Sequence, residues 1–416
     1  GGDWQTRWWK GEGGFIDYTN PEAMAWWRGL QQDLFDWGLD GWKLDGTATF
    51  FRGAVWELPW QQTDSGLMTM RTYMNHYYRD EYQHGLTQNP EFITLSRAID
   101  GEIQWGHFRG FAPLDASPVN WVGDNDHTWK LEEEGIEEAL RDILDSARRG
   151  YNVVGSDIGG YSGSTIPPEV YIRWAQFSVY NGLFLNGGHS ERRLWLRTED
   201  EQTLIRRAAW RHTELIPYIY TYVVQAHEGG DVMIRPMDAG NFHYMFGDHY
   251  LIAPIHKPGG EATVVLPEGR WRWVQDDDQV IEGPTTFTRT FTISEFPAYV
   301  RDGAIVPMHI ERDYTGVGEA DWADHDTYVI YPYGESAFTV HHPDLSGTTT
   351  VEVAAGETID IPLRGEARPH ILAVKVADMP AGVSRADGAE VDWTYEEDAG
   401  RVVVRTSAAS TPAYTI

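Results

Sequence analysis

The sequence contains no cysteine, so it can form neither a disulfide nor a thiolate-ligated metal centre, and redox compartment cannot be read from it. Lysine is nearly as scarce: Lys10, Lys43, Lys130, Lys257 and Lys375 are the full set, and arginine supplies the other cations. Acidic residues outnumber basic ones 63 to 33, a formal charge of −30. Phosphate binding depends on basic clusters, so this balance argues against nucleic acid or an anionic membrane surface as a partner. No run of about 18 apolar residues predicts a membrane span. No Asn-x-Ser/Thr sequon occurs, and no H-E-x-x-H or other metal-ligand pattern is present, so neither N-glycosylation nor a metal is expected. Gly1-Gly2-Asp3-Trp4 has no charged n-region or apolar h-region, and localisation, cytoplasmic or secreted, stays open.

What the sequence does hold is core-forming material: 41% hydrophobic, 13% aromatic and 19 Trp, which excludes a disordered acidic chain. At about 100–200 residues per domain, 416 residues suggest two to four domains. The first part alternates helix and strand. Asn20 suits an N-cap, Pro21 a first helical position and Gly38 a stop, and Ala23, Trp27, Leu30 and Leu34 form an apolar stripe, predicting a helix over 20–38. A buried strand is expected at 39–45. The pattern returns with a helix over 132–149 and a strand at 151–154. Helical periodicity recurs at 168–181 and 199–227, with Pro217 expected to divide the latter. From about 232 the pattern turns to short alternating apolar segments broken by Gly, Pro and Asp, the mark of β-sandwich modules. The expected division is 1–231, an α/β unit with a parallel sheet; 232–310, a proximal β-sandwich; and 311–416, a distal one. The Asp276–Asp278 run is expected to be a solvated turn.

Three strand-end aspartates stand out. In Asp40-Gly41-Trp42-Lys43-Leu44-Asp45, period-2 alternation puts Lys43 and Asp45 on one face. A neighbouring cation keeps a carboxylate ionised, as a nucleophile requires, although a strand-end Asp also caps turns. In Asn120-Trp121-Val122-Gly123-Asp124, a carboxyl beside Trp can be desolvated and held protonated as a general acid; an Asx turn is the structural alternative. Val154-Gly155-Ser156-Asp157-Ile158-Gly159-Gly160 matches neither GxGxxG nor the P-loop, and no nucleotide cofactor is expected; glycines that let a ligand approach Asp157 fit better. Gly187-Gly188-His189 offers an isolated histidine, of a kind that is often structural. Strand-end acids in a Trp-rich βα series suit a neutral sugar, whose C–H faces pack on aromatic rings. Two carboxylates with opposite protonation duties suggest glycosidic chemistry.

The order of these motifs resembles glycoside hydrolase family 31, the α-glucosidase and α-xylosidase family. The likeness runs through Asp17-Tyr18-Thr19-Asn20-Pro21, Trp42-Lys43-Leu44-Asp45, Ser96-Arg97, Trp121-Val122-Gly123-Asp124, Gly155-Ser156-Asp157-Ile158-Gly159-Gly160, Arg173-Trp174-Ala175-Gln176-Phe177 and His189. It continues in Phe246-Gly247-Asp248-His249-Tyr250 and Tyr299-Val300-Arg301-Asp302-Gly303, covering most of 1–310. The resemblance implies a retaining α-glycoside hydrolase, built on a (β/α)8 TIM-type barrel and followed by two β-sandwiches. Asp45 aligns with the nucleophile and Asp124 with the acid/base. Arg97, Trp121, Asp157 and His189 align with the sugar subsite, and Lys43 and Trp42 are further substrate-binding candidates. Retention implies carboxyls roughly 5–5.5 Å apart.

Some features depart from the common α-glucosidases. Gly46-Thr47 follows the nucleophile, extra material surrounds Trp105, His107, Arg109 and Asp115, and Asn186-Gly187-Gly188-His189 replaces the usual Arg-x-His pattern. They leave α-glucoside, α-galactoside and α-xyloside specificity open, beside an α-transglycosylase or a non-catalytic carbohydrate-binding or assembly subunit. The family also carries an N-terminal β-sandwich and about three βα units ahead of the nucleophile strand. Residues 1–231 are thus expected to supply about five strands, the C-terminal part of the barrel, completed by a second polypeptide or a missing N-terminal segment.

Overall fold

The computed structural model describes residues 5–8, 11–45, 60–99 and 111–416. Gly46, Thr47, Trp105, His107 and Arg109 lie outside the described residues. Four short parallel strands, Gly41–Leu44, Ile93–Arg97, Val119–Trp121 and Val153–Gly155, pair in sequence order. An isolated parallel bridge between Asp157 and Leu185 carries the sheet one position further. Parallel neighbours need long crossovers, and helices Met70–Gln88 and Ile136–Arg148 supply two of them.

Helix Pro21–Asp36 starts as its sequence dictates. The Asn20 side chain accepts from the backbone N–H of Glu22 (2.9 Å) and Ala23 (3.0 Å), and Pro21 occupies the first turn. Its expected apolar stripe is only partly realised. Met24 and Gln31 are the buried positions, whereas Leu30 is 56% exposed and Leu34 39%. Gln31 is buried because it donates to Glu81 (2.8 Å), which also accepts from Tyr18 (2.7 Å) and Trp27 (2.7 Å). A polar cluster, not an apolar seam, joins this helix to Met70–Gln88. The latter helix falls in a stretch for which periodicity predicts no element. Pro217 divides the later helical stretch as expected, into Glu199–Glu214 and Ile216–His227.

Arg173, on helix Pro168–Ser178, ties the α/β unit to the β region. It donates to the carbonyls of Glu295 (2.6 Å), Phe291 (2.8 Å) and Thr292 (3.0 Å). Beyond it lies a six-stranded antiparallel sheet dominated by the hairpin Glu261–Trp273/Asp276–Thr290. Two five-stranded sheets follow. One is centred on Asp326–Ile330 and Arg368–Lys375, the other on Thr348–Ala355 and Ile359–Gly365. Their buried faces share a core that includes Val351, Ile361, Ile371 and Val402. The hairpin turn is Val274–Gln275, one step before the acidic run expected to form it. Asp277 is not a solvated turn residue: it accepts from Lys375 (2.6 Å), Tyr331 (2.9 Å) and Arg401, and Lys375 also reaches Asp278 (2.5 Å). The run is instead an ionic clamp between the hairpin and the distal strands.

Candidate active site

The strand register gathers the site. Leu44 pairs with Ser96, Arg97 with Trp121, and Trp121 with Gly155. Asp45, Arg97, Trp121 and Asp157 therefore lie at or just past the C-terminal ends of adjacent parallel strands, where ligands meet open α/β sheets. The Arg97 guanidinium is the hub. One of its terminal nitrogens, Nη2, lies 2.9 Å from Asp45 Oδ1 and 3.2 Å from Asp124 Oδ1, and its Nε lies 3.2 Å from the same Asp45 oxygen. A shared nitrogen at those distances leaves the two oxygens at most about 6 Å apart, against ~5–5.5 Å between carboxyls for retention and ~6.5–9.5 Å for inversion.

Gly123 makes this geometry attainable. Its φ of +101° is a conformation L side chains rarely adopt, and a Cβ there would sit 2.4 Å from the other Arg97 terminal nitrogen, Nη1. Lys43 shares the face of Asp45 as alternation required: its Nζ lies 3.8 Å from Asp45 Oδ2 and 4.0 Å from the centroid of the Trp121 ring. A cation over an indole face at this range is attracted by the ring quadrupole. Tyr77 adds a hydroxyl 3.4 Å from the Asp45 carbonyl oxygen.

Asp157 is 4% exposed, and its Oδ2 has no hydrogen-bond partner among the described residues. Burial lifts its pKa from 3.8 to about 6, with Asp124 adding to the rise and Lys43, Arg192 and Arg97 opposing it. The neighbouring Ser156 accepts from the Trp174 indole (2.8 Å), which holds the turn from behind. The loop beyond docks on the loop after Asp124, because the backbone N–H groups of Tyr161 (2.7 Å) and Ser162 (3.1 Å) both donate to the Asn125 carbonyl. Gly160 permits this approach: a Cβ would lie 2.8 Å from that same oxygen.

His189 Nε2 lies 3.1 Å from the Tyr161 carbonyl and 3.2 Å from an Arg192 nitrogen, and its ring stands 4.7 Å from that of Tyr161. The structure thus brings Asp45, Lys43, Arg97, Trp121, Asp124 and Asp157 together, with His189 joined to them through Tyr161 and Arg192. Trp42 is not among them. It sits on the opposite face of its strand, packed on Phe35 (4.9 Å) and Phe92 (5.0 Å), as the alternation that paired Lys43 with Asp45 already required. Asp115 is also elsewhere, held at the surface by Arg79 (2.9 Å). Tyr77, Tyr161 and Arg192 were not singled out in the sequence; only Tyr161, directly after Gly159-Gly160, had a local signal. Among the described residues, no group of three or more His, Asp or Glu side chains is arranged to hold a metal ion, and no helix is long and apolar enough to cross a membrane.

Residues 1–222 match the glycosyl hydrolases family 31 TIM-barrel domain, and residues 230–306 match the family 31 C-terminal domain. An α-xylosidase of Emericella nidulans is 29% identical over 333 residues, 75% of this chain and 40% of its own length. The neutral α-glucosidase AB of Mus musculus is 28% identical over 75% of this chain and 34% of its own length. Among solved structures, the cycloalternan-forming enzyme of Listeria monocytogenes superposes with a TM-score of 0.83 at 22% identity, over 100% of this chain and 42% of that one. The family 31 dextranase of Flavobacterium johnsoniae gives 0.84 at 20% identity, over 100% and 58%. The chain spans well under half the length of the α-xylosidase and of the neutral α-glucosidase AB. Its parallel strands and crossover helices lie in the segment that matches the TIM-barrel domain, β-sheet domains follow, and the chain belongs to glycosyl hydrolase family 31.

Proposed function

We propose that this chain carries the catalytic centre of a retaining α-glycoside hydrolase acting on neutral α-linked glucosides, galactosides or xylosides. Asp45 attacks the anomeric carbon, and the bond to the leaving oxygen breaks as Asp124 donates its proton to that oxygen. A glycosyl ester on Asp45 results. Asp124, now ionised, takes a proton from water, which attacks the anomeric carbon and frees Asp45. Arg97, Trp121, Lys43, Asp157 and His189 bind the sugar; Trp42 has no part in it. The observation that carries this reading is the single Arg97 nitrogen shared by both carboxylates. The test is a panel of aryl α-glycosides (gluco, galacto, xylo, N-acetylgalactosaminyl) with Asp45→Ala as control. Turnover of one or more by the parent, lost in the variant, is the expected result. Sugar binding with no turnover of any, at low or high salt, would leave a non-catalytic binding subunit.

A transglycosylase is the second reading. It is favoured by the isomaltosyltransferase of Sporosarcina globispora, 24% identical over 92% of this chain and 37% of that protein. The ratio of free sugar to transfer product at high acceptor concentration separates the two. On the primary reading the chain divides into a barrel segment (1–231), a proximal β-sandwich (232–310) and a distal one (311–416). The strand Gly41–Leu44 has one neighbour among the described residues, and Trp26 (60% exposed) and Trp37 (82%) turn outward from the adjoining helix. Further βα units, in the same or a second polypeptide, would cover that edge and those rings.

A further inference from the structure

One cavity of the structure lies away from the strand ends. A cleft of about 360 Å3 lies where helix Glu199–Glu214 meets the hairpin turn at Val274–Gln275 and the distal strands. That size is within the range of small-molecule sites. Its lining is aromatic: Tyr180 and Phe296 stack at 6.1 Å and 11°, Tyr250 lies 5.7 Å from Tyr180, and Tyr331 completes the surface. Arg207 and Arg211, one turn apart on the helix, line one part of the cleft. Each donates to the Thr315 carbonyl (3.3 Å), and among the described residues only Arg211 of the two has a carboxylate partner, Glu214 at 3.3 Å. Asp276, Asp278 and Asp398 line another part.

Two phenols decide what the cleft is for. Tyr180 and Tyr250 are each 5% exposed and line the cleft, yet neither hydroxyl has a hydrogen-bond partner among the described residues. Burial pushes Tyr180 up to about 12 and Tyr250 well above its ordinary value, so both hydroxyls stay protonated and able to donate. Neither hydroxyl is sealed off from the cleft, so a ligand atom or a water that enters it can accept from both. The groups around it select the ligand's chemistry. Guanidinium groups and carboxylates in one cleft oppose a purely anionic or purely cationic occupant. Aromatic faces favour an apolar surface, and the mixed donors and acceptors favour several hydroxyls.

We propose that this cleft is a second, non-catalytic site for a neutral pyranoside, a mono- or short oligosaccharide whose C–H face packs on Tyr180, Tyr250 and Phe296 and whose hydroxyls pair with the two phenols, Arg207 and the acidic residues. The assignment does not depend on turnover at Asp45, so the two readings fail separately.

The test uses the full chain carrying Asp157→Ala, to suppress binding at the strand ends. Methyl α-glucoside, methyl α-xyloside and methyl α-galactoside are titrated by calorimetry. Saturable binding of at least one is expected, weakened at least about tenfold, a 1.4 kcal/mol loss, by Tyr180→Phe with Tyr250→Phe. It is also expected to be abolished by Leu204→Trp, which fills the cleft from the helix. In the parent background both changes leave the initial rate on aryl α-glycosides unaltered. If the double phenylalanine variant melts early, the Leu204→Trp result decides alone. Absence of saturable sugar binding, or binding that survives Leu204→Trp, overturns the proposal. So does saturable binding of inorganic phosphate or free glycine that Leu204→Trp removes while no glycoside binds.

Discussion

Replacing Asp157 by Asn changes one property above all: the side chain can no longer ionise. In the unfolded chain Asp157 loses its proton near 3.8, but in the folded protein near 6, because burial disfavours the charge. Between those values the folded state holds a proton that the unfolded state has released. Stability therefore falls as pH rises through this window and stays on the lower plateau above it. A gap of about two pH units at 1.36 kcal/mol each amounts to about 3 kcal/mol. Asn keeps the shape without the titration, so Asp157→Asn is expected to gain about 3 kcal/mol on the parent between pH 4 and pH 7. Urea unfolding of both proteins at pH 4, 5, 6 and 7 and constant ionic strength measures this, since the carboxylates remote from Asp157 are common to the two and cancel in the difference. A stability difference flat to within ~1 kcal/mol across that range would refute the reasoning. Sugar turnover should be lost in the same variant, so the gain in stability would come at a functional site.

Asp277→Ala leaves Arg401 without this carboxylate against the hairpin and Lys375 with Asp278 alone, and is expected to cost ~3 kcal/mol; hydrogen exchange should show the loss first in Arg368–Lys375 and Arg401–Ser410. Gly123→Ala forces a left-handed φ and a contact with Arg97, costing ~1–3 kcal/mol; turnover should fall much further than a control of equal stability loss, and unchanged turnover would contradict the role given to Arg97. Glu81→Ala strands the donors of Tyr18, Trp27 and Gln31 and should lower stability by ~3 kcal/mol or more. Glu81→Gln should lose less, since a flipped Gln31 amide restores all three bonds; urea midpoints distinguish them.

Much of this was legible because local chemistry sets it. Asn20-Pro21 starts a helix by capping, and Lys43 joins Asp45 by strand alternation. Helix Met70–Gln88 was hidden because its inward residues, Tyr73, Met74, Tyr78 and the charged Glu81, sit among His, Asp and Arg and make no clean apolar stripe. Leu30 and Leu34 misled for the converse reason: they are apolar, but the helix turns Gln31 inward to Glu81 instead. Tyr161 and Arg192 reach the site only because one loop docks on another through the Asn125 carbonyl, a contact with no sequence pattern. Asp277 looked like a surface acid until the distal strands brought Lys375 and Arg401 to it. Long-range placement, not residue type, separates the two groups.

The central claim is that Asp45 becomes glycosylated while Asp124 handles the proton. Asp124→Ala removes the group that activates water, so an activated aryl α-glycoside, whose leaving group needs no proton, should let the ester accumulate. Intact-mass measurement of that variant, followed by peptide mapping, is the direct test. The account predicts a mass increase of one glycosyl unit, carried by the peptide containing Asp45 and absent when Asp45 is also Ala. An adduct on another residue, or none while the parent turns over the same substrate, would contradict it.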